Sequence, residues 1–287
     1  MEDIYKLKKK DFPEGLLEIP QPPRTLYIKG KLPNPDFIYL AVVGSRKYTS
    51  YGKEICQKLI SGLKGYPIVI VSGLAIGIDS IAHQSALDSD LITISFPGSG
   101  LLNEVLHPQT NRKLAKEIIE KGGCLISEMT PGSRATLYSF PQRNRLMAGI
   151  SKAVLIIEAE EKSGTLITAR MALDYNRDVL AVPGSAFSSN SNGTNWLIKQ
   201  GAVPVTNSND VLEALGFEIE RPKLSEKEKY KDCSKEELAI INLLREPINR
   251  DELIRISKMQ IAEANALLSI MEIKELIKEE LGEIRKN

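Results

Sequence analysis

The chain has 287 residues, with 38 Lys and Arg against 37 Asp and Glu, a formal net charge of +1 and 42% hydrophobic residues, which is ordinary for a globular protein. So even a balance gives no whole-molecule field that would draw in a polyanion, and any such role rests on local charge. Cys56, Cys124 and Cys233 are widely spaced without a C-x-x-C pair, and His83 and His107 are the only histidines, which excludes a disulfide framework and a zinc site; no metal is expected.

No apolar N-terminal stretch resembles a signal peptide, and runs such as Ile68–Val71 fall far short of the roughly 20 residues that span a bilayer. A reduced cytoplasmic setting without membrane contact is expected. At roughly 150 residues per domain the length suits one large domain and a small one.

In chain order, residues 1–36 hold a proline-rich text, "FPEGLLEIPQPPRTLYIKGKLPNP", expected to lie extended along the domain that follows. Over 37–218, short β-branched runs alternate with helical spacing. The strand candidates are 39–43, 68–72, 91–96, 124–127, 153–158, 178–182 and 203–205. Each is an almost continuous apolar run, as when helices cover both faces of a parallel sheet. Between them apolar residues recur at three and four, as in Ile55, Leu59, Ile60 and Leu63. This is an α/β pattern with a doubly wound, mostly parallel, Rossmann-like sheet. A charged linker over 219–234 leads to residues 235–287. There the spacing predicts a helix over Lys235–Arg245, a short helix opened by Asn249 with Glu252 three positions on, a third helix over Ile261–Glu272, and a hairpin turning at Gly282. That is a small winged-helix-like domain. With 13 Lys and Arg against 14 Asp and Glu over 223–287 it is not basic, so protein contact and DNA binding stay equally open there.

In a doubly wound sheet, ligands bind outside the carboxyl ends of the strands. The loops expected there carry the glycines, serines and unpaired arginines. In "VVGSRKYTSYG", Gly44 and Ser45 turn the chain toward a helix start, and Arg46 and Lys47 add charge with no acid between Asp36 and Glu54. That is either a phosphate contact or a solvated turn. It is not the GxGxxG fingerprint, so no NAD is inferred. "SGLAIGIDSIAH" offers Ser72, Gly73 and Gly77; Asp79 is either a base or, more simply, a group that caps the helix or orders the loops, and His83 reads as packed. "HPQTNRK" supplies Asn111, Arg112 and Lys113. "FPQRNRLMAGIS" holds Arg143, Asn144 and Arg145 in a span with no acid between Glu128 and Glu158. Here Arg143 is expected to face a bound strand, and Arg145 to be held by a carboxylate such as Glu158. Ser163, Gly164 and Thr165 open a further helix with free amides, although Glu158, Glu160 and Glu161 nearby complicate a purely electrostatic picture. No catalytic engine accompanies these groups: there is no Cys/His pair, Walker lysine or metal cluster. Phosphate contacts without chemistry indicate a nucleic-acid or nucleotide binder with no cofactor.

The ordered texts "VVGSRKYTSYG", "VSGLAIGIDSIAH", "ISEMTPG", "FPQRNRLMAGIS", "SGTLITARMAL", "RDVLAVPGS" and "GTNWLIKQGA" resemble the DNA-processing protein A family (DprA, also called Smf) over roughly residues 12–216. The resemblance implies a single-stranded-DNA-binding homodimer of natural transformation and recombination that protects incoming DNA and helps load the RecA recombinase. It places Arg46 among DNA-contacting arginines, Arg143 and Arg145 in a basic DNA-facing segment, Arg112 or Lys113 at a basic position, and Ser72, Gly73 and the Ser163–Thr165 amides around the same pocket. Ile76 stands where the family's Gly-Leu-Ala-Arg-Gly-Ile-Asp has arginine, and Gln142 where a basic residue is common; both lower the charge. No counterpart of the extra N-terminal helical domain of many relatives is expected. Helices near Thr194–Gln200 and Ser208–Leu215 are the expected dimer surface. The rival reading is a phosphoribohydrolase-like enzyme, whose Pro-Gly-Gly-x-Gly-Thr-x-x-Glu motif carries a catalytic glutamate; here Thr168 occupies its place, so no enzyme is expected. A transcription regulator acting through the winged helix is a third reading.

Overall fold

The structure, a computed structural model, describes residues 4–219, 230, 233–244, 247–274, 276–280 and 282–286. It divides into two compact units, Met1–Ile219 and Glu220–Asn287. Among the described residues no helix is long and apolar enough to cross a membrane.

The first unit is built on a nine-stranded sheet. Its strands are β1 (Ile4–Lys6), β2 (Tyr27–Gly30), β3 (Ile38–Val43), β4 (Ile68–Ser72), β5 (Ile92–Ser95), β6 (Cys124–Ser127), β7 (Ala153–Ile156), β8 (Asp178–Ala181) and β9 (Val203–Pro204). They run in the order β1-β2-β6-β5-β4-β3-β7-β8-β9, with β3 to β9 parallel. The helices are α1 (Glu14–Leu17), α2 (Ser50–Ser61), α3 (Ile78–Asp88), α4 (Arg112–Glu120), α5 (Ser139–Ile150), α6 (Gly164–Asp174), α7 (Ser189–Lys199) and α8 (Ser208–Ala214).

Successive side chains of β3 explain the layering. Ala41 and Val43 join Leu146 and Met147 of α5 and Ala169 and Ala172 of α6 in one core. Leu40 and Val42 join Ile55 and Leu59 of α2, Ile78 of α3 and Val211 of α8 in the other. Since successive residues of a β-strand face opposite sides, both must be apolar when both sides are covered, hence the unbroken apolar run. Pro204 is accommodated because β9 is an edge strand.

The N-terminal segment does more than lie along this core. β1 and β2 pair antiparallel, β2 pairs antiparallel with β6, and Leu7, Phe12, Leu16, Leu26 and Ile28 are buried in the first core. The segment therefore extends the sheet past β6.

The second unit, taken by itself, contains α9 (Lys235–Leu243), β10 (Ile248–Asn249), α10 (Arg250–Ser257), α11 (Ile261–Ile273), β11 (Ile277–Glu280) and β12 (Glu283–Lys286), with strand order β10-β12-β11. Ser234 and Glu237 form a capping box at α9, and Asn249 caps α10 by accepting from the Asp251 amide at 3.0 Å. Ile240, Ile241, Leu253, Leu268, Met271 and Ile284 form its core. Arg245, and residues 220–229 and 231–232 of the expected linker, lie outside the described residues.

The arrangement of the first sheet positions the site. From β3 the chain steps outward through β4, β5 and β6, then returns to place β7 on the other side of β3. The loops leaving β3 and β7 diverge around their helices, and such a reversal opens a crevice at the carboxyl ends of the two strands.

Candidate nucleic-acid interface

A cleft of about 460 Å³ lies at this switch point. Its walls are Gly44, Ser45, Arg46 and Lys47 after β3, Ala75 and Asp79 after β4, Phe140, Arg143 and Asn144 of α5, and Glu160, Ser163, Gly164, Thr165 and Thr168 around the start of α6. Its size falls within the roughly 300–1,000 Å³ of small-ligand sites.

Arg46 and Lys47 are exposed and take part in no ion pair among the described residues. The Arg46 guanidinium lies over the Phe140 ring at 5.5 Å from its centroid, which holds the cation at the mouth without neutralising it. The loop is braced from below. The Thr49 amide and hydroxyl both donate to the buried Glu158 carboxylate, at 2.9 and 2.5 Å, and Thr49 Oγ1 caps α2 by accepting from the Gly52 amide at 3.1 Å. On the opposite wall, Ser163 caps α6 by accepting from the Thr165 amide at 3.0 Å.

Two glycines let the loops approach so closely. Gly77 has φ of 92°, and a Cβ there would meet the Ser45 carbonyl at 2.5 Å and the Arg46 Cα at 2.7 Å. A Cβ on Gly73 would lie 1.8 Å from the Arg143 guanidinium. Gly77→Ala is expected to cost about 1–3 kcal/mol through strained backbone and displacement of the Arg46 loop. Urea denaturation measures the cost, and an unchanged midpoint would show that the loop yields freely.

The other arginines expected to face a ligand are tied to the protein. Arg143 is only 7% exposed, and its guanidinium donates to the carbonyls of Gly73 and Phe96, the latter at 2.6 Å. Its Nε donates to Asn144 Oδ1 at 3.0 Å. Those carbonyls lie just past the ends of β4 and β5, where the ladder no longer serves them, and a guanidinium has enough donors for both. Asp79 beside it accepts from the Gly73 amide at 3.1 Å, the loop-ordering role, and no proton-transfer geometry accompanies it. Burial pushes the Asp79 carboxyl up, while Arg143 and the backbone amides pull it back; burial likewise pushes Arg143 down against the pull of Asp79.

Arg145 is held not by Glu158 but by Glu128, and it also donates to the Gln21 carbonyl at 2.7 Å. The N-terminal segment and the β6 exit meet α5 there, whereas Glu158 is occupied by Thr49. Arg112 donates to the carbonyls of Glu104 and Leu106, at 2.8 and 3.4 Å, while Lys113 is exposed with a loose 3.9 Å pairing to Glu117. Neither lines the cleft. Ser72 is buried, its hydroxyl donating to the Val42 carbonyl at 2.6 Å, and Gly73 lies beneath Arg143. Asn111 holds the carbonyls of Leu74 and Ala75, at 2.8 and 3.2 Å, and so steadies the β4 loop where Leu74 adopts φ of 59°. The cleft therefore gathers Gly44, Ser45, Arg46, Lys47, Arg143, Asn144, Ser163, Gly164 and Thr165, and leaves out Ser72, Gly73, Arg112, Lys113 and Arg145.

The family model described as DNA recombination-mediator protein A matches residues 3–216. Protein Smf of Escherichia coli (strain K12) is 41% identical over 206 residues, covering 72% of this chain and 54% of that protein. DNA processing protein DprA of Streptococcus pneumoniae is 41% identical over 206 residues, 72% of either chain. This chain thus spans about half the length of the first of these relatives. The X-ray structure of the S. pneumoniae protein superposes with a TM-score of 0.68 at 39% identity, over 76% of this chain and 75% of that one. A Helicobacter pylori DNA processing protein A structure, described for its single-stranded DNA binding mode, gives 0.65 at 30% identity, over 75% of this chain and 98% of that one.

Proposed function

The chain belongs to the DNA recombination-mediator protein A family, and from that premise we propose that it binds single-stranded DNA along the carboxyl edge of its parallel sheet. The observation that carries the reading is the pair of exposed cations, Arg46 and Lys47, at the mouth of the switch-point cleft, neither of them in an ion pair among the described residues. Facing them stands the start of α6, where the Thr165 amide is taken by Ser163 but the helix terminus still favours negative charge. Arg143 adds its charge from below while remaining bonded to the protein. The H. pylori relative, whose structure concerns single-stranded DNA, supports the same ligand here.

The cellular role that accompanies this ligand is protection of incoming single strands during transformation and recombination, and their delivery to RecA by a homodimer. Family membership supports the RecA step. For the homodimer, Trp196 on α7 and Val203 on the edge strand β9, 48% and 43% exposed, are apolar side chains a second copy would cover.

Binding aimed at the backbone tolerates sequence and weakens with salt by about 0.7 log units per decade for each phosphate contacted. Arg46→Ala/Lys47→Ala is expected to lower affinity and flatten that slope by about 1.4. Fluorescence anisotropy across a salt series checks both quantities; unchanged affinity and slope would remove this cleft from the interface.

The phosphoribohydrolase-like alternative gains from the carboxylates of Glu160 and Asp79 on the cleft wall. It loses from Thr168, which is buried on that wall in place of the expected glutamate. Release of free base from a nucleoside monophosphate would decide for the enzyme.

A further inference from the structure

We infer that Phe187 is a base-stacking residue that extends the single-strand track out of the cleft along the exits of β3 and β8. The inference rests on the single-strand reading above and adds a site to it. Phe187 is the most exposed large apolar side chain in the described residues, at 102% of its reference area. Its ring therefore has no partner among the described residues, and it stands among small residues, "GSAFSSNSNG", just ahead of α7. A ring left bare forgoes the burial that fixes most aromatic side chains, so its position calls for an external surface.

The two ends of the loop that carries it are fastened beside the cleft. The Pro183 carbonyl accepts from the Tyr51 hydroxyl at 2.8 Å, and the Asn190 side chain donates to the Lys47 carbonyl at 2.7 Å. The Asn190 carbonyl in turn accepts from the Ala159 amide, at 2.8 Å, on the β7 exit. From α7, the Asn195 side chain bonds both the amide and the carbonyl of Gly184, at 3.2 and 3.0 Å, and within the loop the Phe187 amide donates to Ser185 Oγ at 3.2 Å. A loop already tied loses little freedom when a base settles on its ring.

Charge fits the same occupant. Lys47, exposed and bonded through its backbone to this loop, is placed for the phosphate between a base in the cleft and a base on Phe187. Tyr48, 43% exposed, follows it in the chain. Stacking on a ring face is open to any base of a single strand, whereas paired bases in a duplex keep their faces against one another. Phe187 thus contributes to preference for single strands as well as to affinity.

The test uses the full chain and oligothymidylates of about 4 to 16 nucleotides, the range of single-strand site sizes. Phe187→Ala is expected to weaken the longest oligomer about ten-fold, the scale of one stacked base, and to leave the shortest unchanged. Phe187→Trp restores the loss. A 2-aminopurine scanned along the longest oligomer should be quenched at one or two positions in the wild type and bright there in Phe187→Ala. Equal affinities for wild type and Phe187→Ala at every length overturn the inference. So does a loss that tracks a fall in oligomeric state by sedimentation, since Phe187 would then be a self-contact. A wild type that binds none of the oligomers removes the single-strand reading itself, a different outcome from both.

Discussion

Replacing Arg143 by alanine is expected to cost the first unit about 3–5 kcal/mol, the scale for removing one partner of a buried charged pair. The side chain is 7% exposed and serves the carbonyls of Gly73 and Phe96 while lying against Asp79. Without it two buried carbonyls lose their donor, and the Asp79 carboxylate loses its neighbouring positive charge and keeps only backbone amides. Arg143→Lys keeps the charge but offers a single ammonium in place of a planar fork, so an intermediate loss is expected. Arg143→Ala/Asp79→Asn should lose less than the two single changes added together, because the amide removes the stranded charge. Arg46→Ala is the contrast: an exposed site, expected within about 0.5 kcal/mol of wild type, yet weaker toward single-stranded DNA. Urea denaturation of the five variants, Asp79→Asn among them, beside DNA titrations separates architecture from contact. A wild-type midpoint for Arg143→Ala would refute the structural role given to this arginine.

That contrast marks the limit of what the amino-acid text reveals. The parallel sheet is legible because burial on both sides forces unbroken apolar runs, and the central strands fall close to those runs. The cleft is legible because glycine, serine and basic residues cluster where strands meet helices. What the text hides is which arginine is satisfied from within. "RNRL" looks uncompensated, but Arg145 finds Glu128, the very acid that bounds the acid-free span, because strand order brings the end of β6 to α5. Arg143 finds backbone carbonyls, which leave no mark in a sequence at all. The N-terminal strands escape notice for a related reason. Three and four residues long, they sit among prolines, and the burial of Ile28 between half-exposed Tyr27 and Lys29 is too short a period to read. Phe187 did leave a signal, an aromatic alone in a Ser/Asn/Gly loop, but its meaning depends on the hydrogen bonds that tie that loop to Lys47.

Below the cleft, His83 should make the fold sensitive to acid. The Thr93 hydroxyl donates its one proton to the Ile70 carbonyl at 2.8 Å, so its oxygen accepts from His83 Nδ1 at 2.7 Å. Nε2 is then the bare nitrogen, buried and without a hydrogen-bond partner in the described structure. Burial, helped by the nearby positive charge of Arg143, pushes the imidazole down from its usual 6.5 to about 3. In the interval between those values the unfolded chain takes up a proton that the folded chain refuses. More protons on the unfolded side means that stability falls as pH falls, by about 1.4 kcal/mol per pH unit from this group alone. Carboxylates add their own acid dependence, so the informative quantity is a difference of slopes. His83→Gln removes the titration, and between about pH 6 and 4 its stability should decline less steeply than wild type by that amount. His107, exposed and unchanged in both proteins, cancels from the comparison. Parallel slopes for the two proteins would mean that His83 takes a proton in the folded state, which the bare, enclosed Nε2 and the neighbouring guanidinium both oppose.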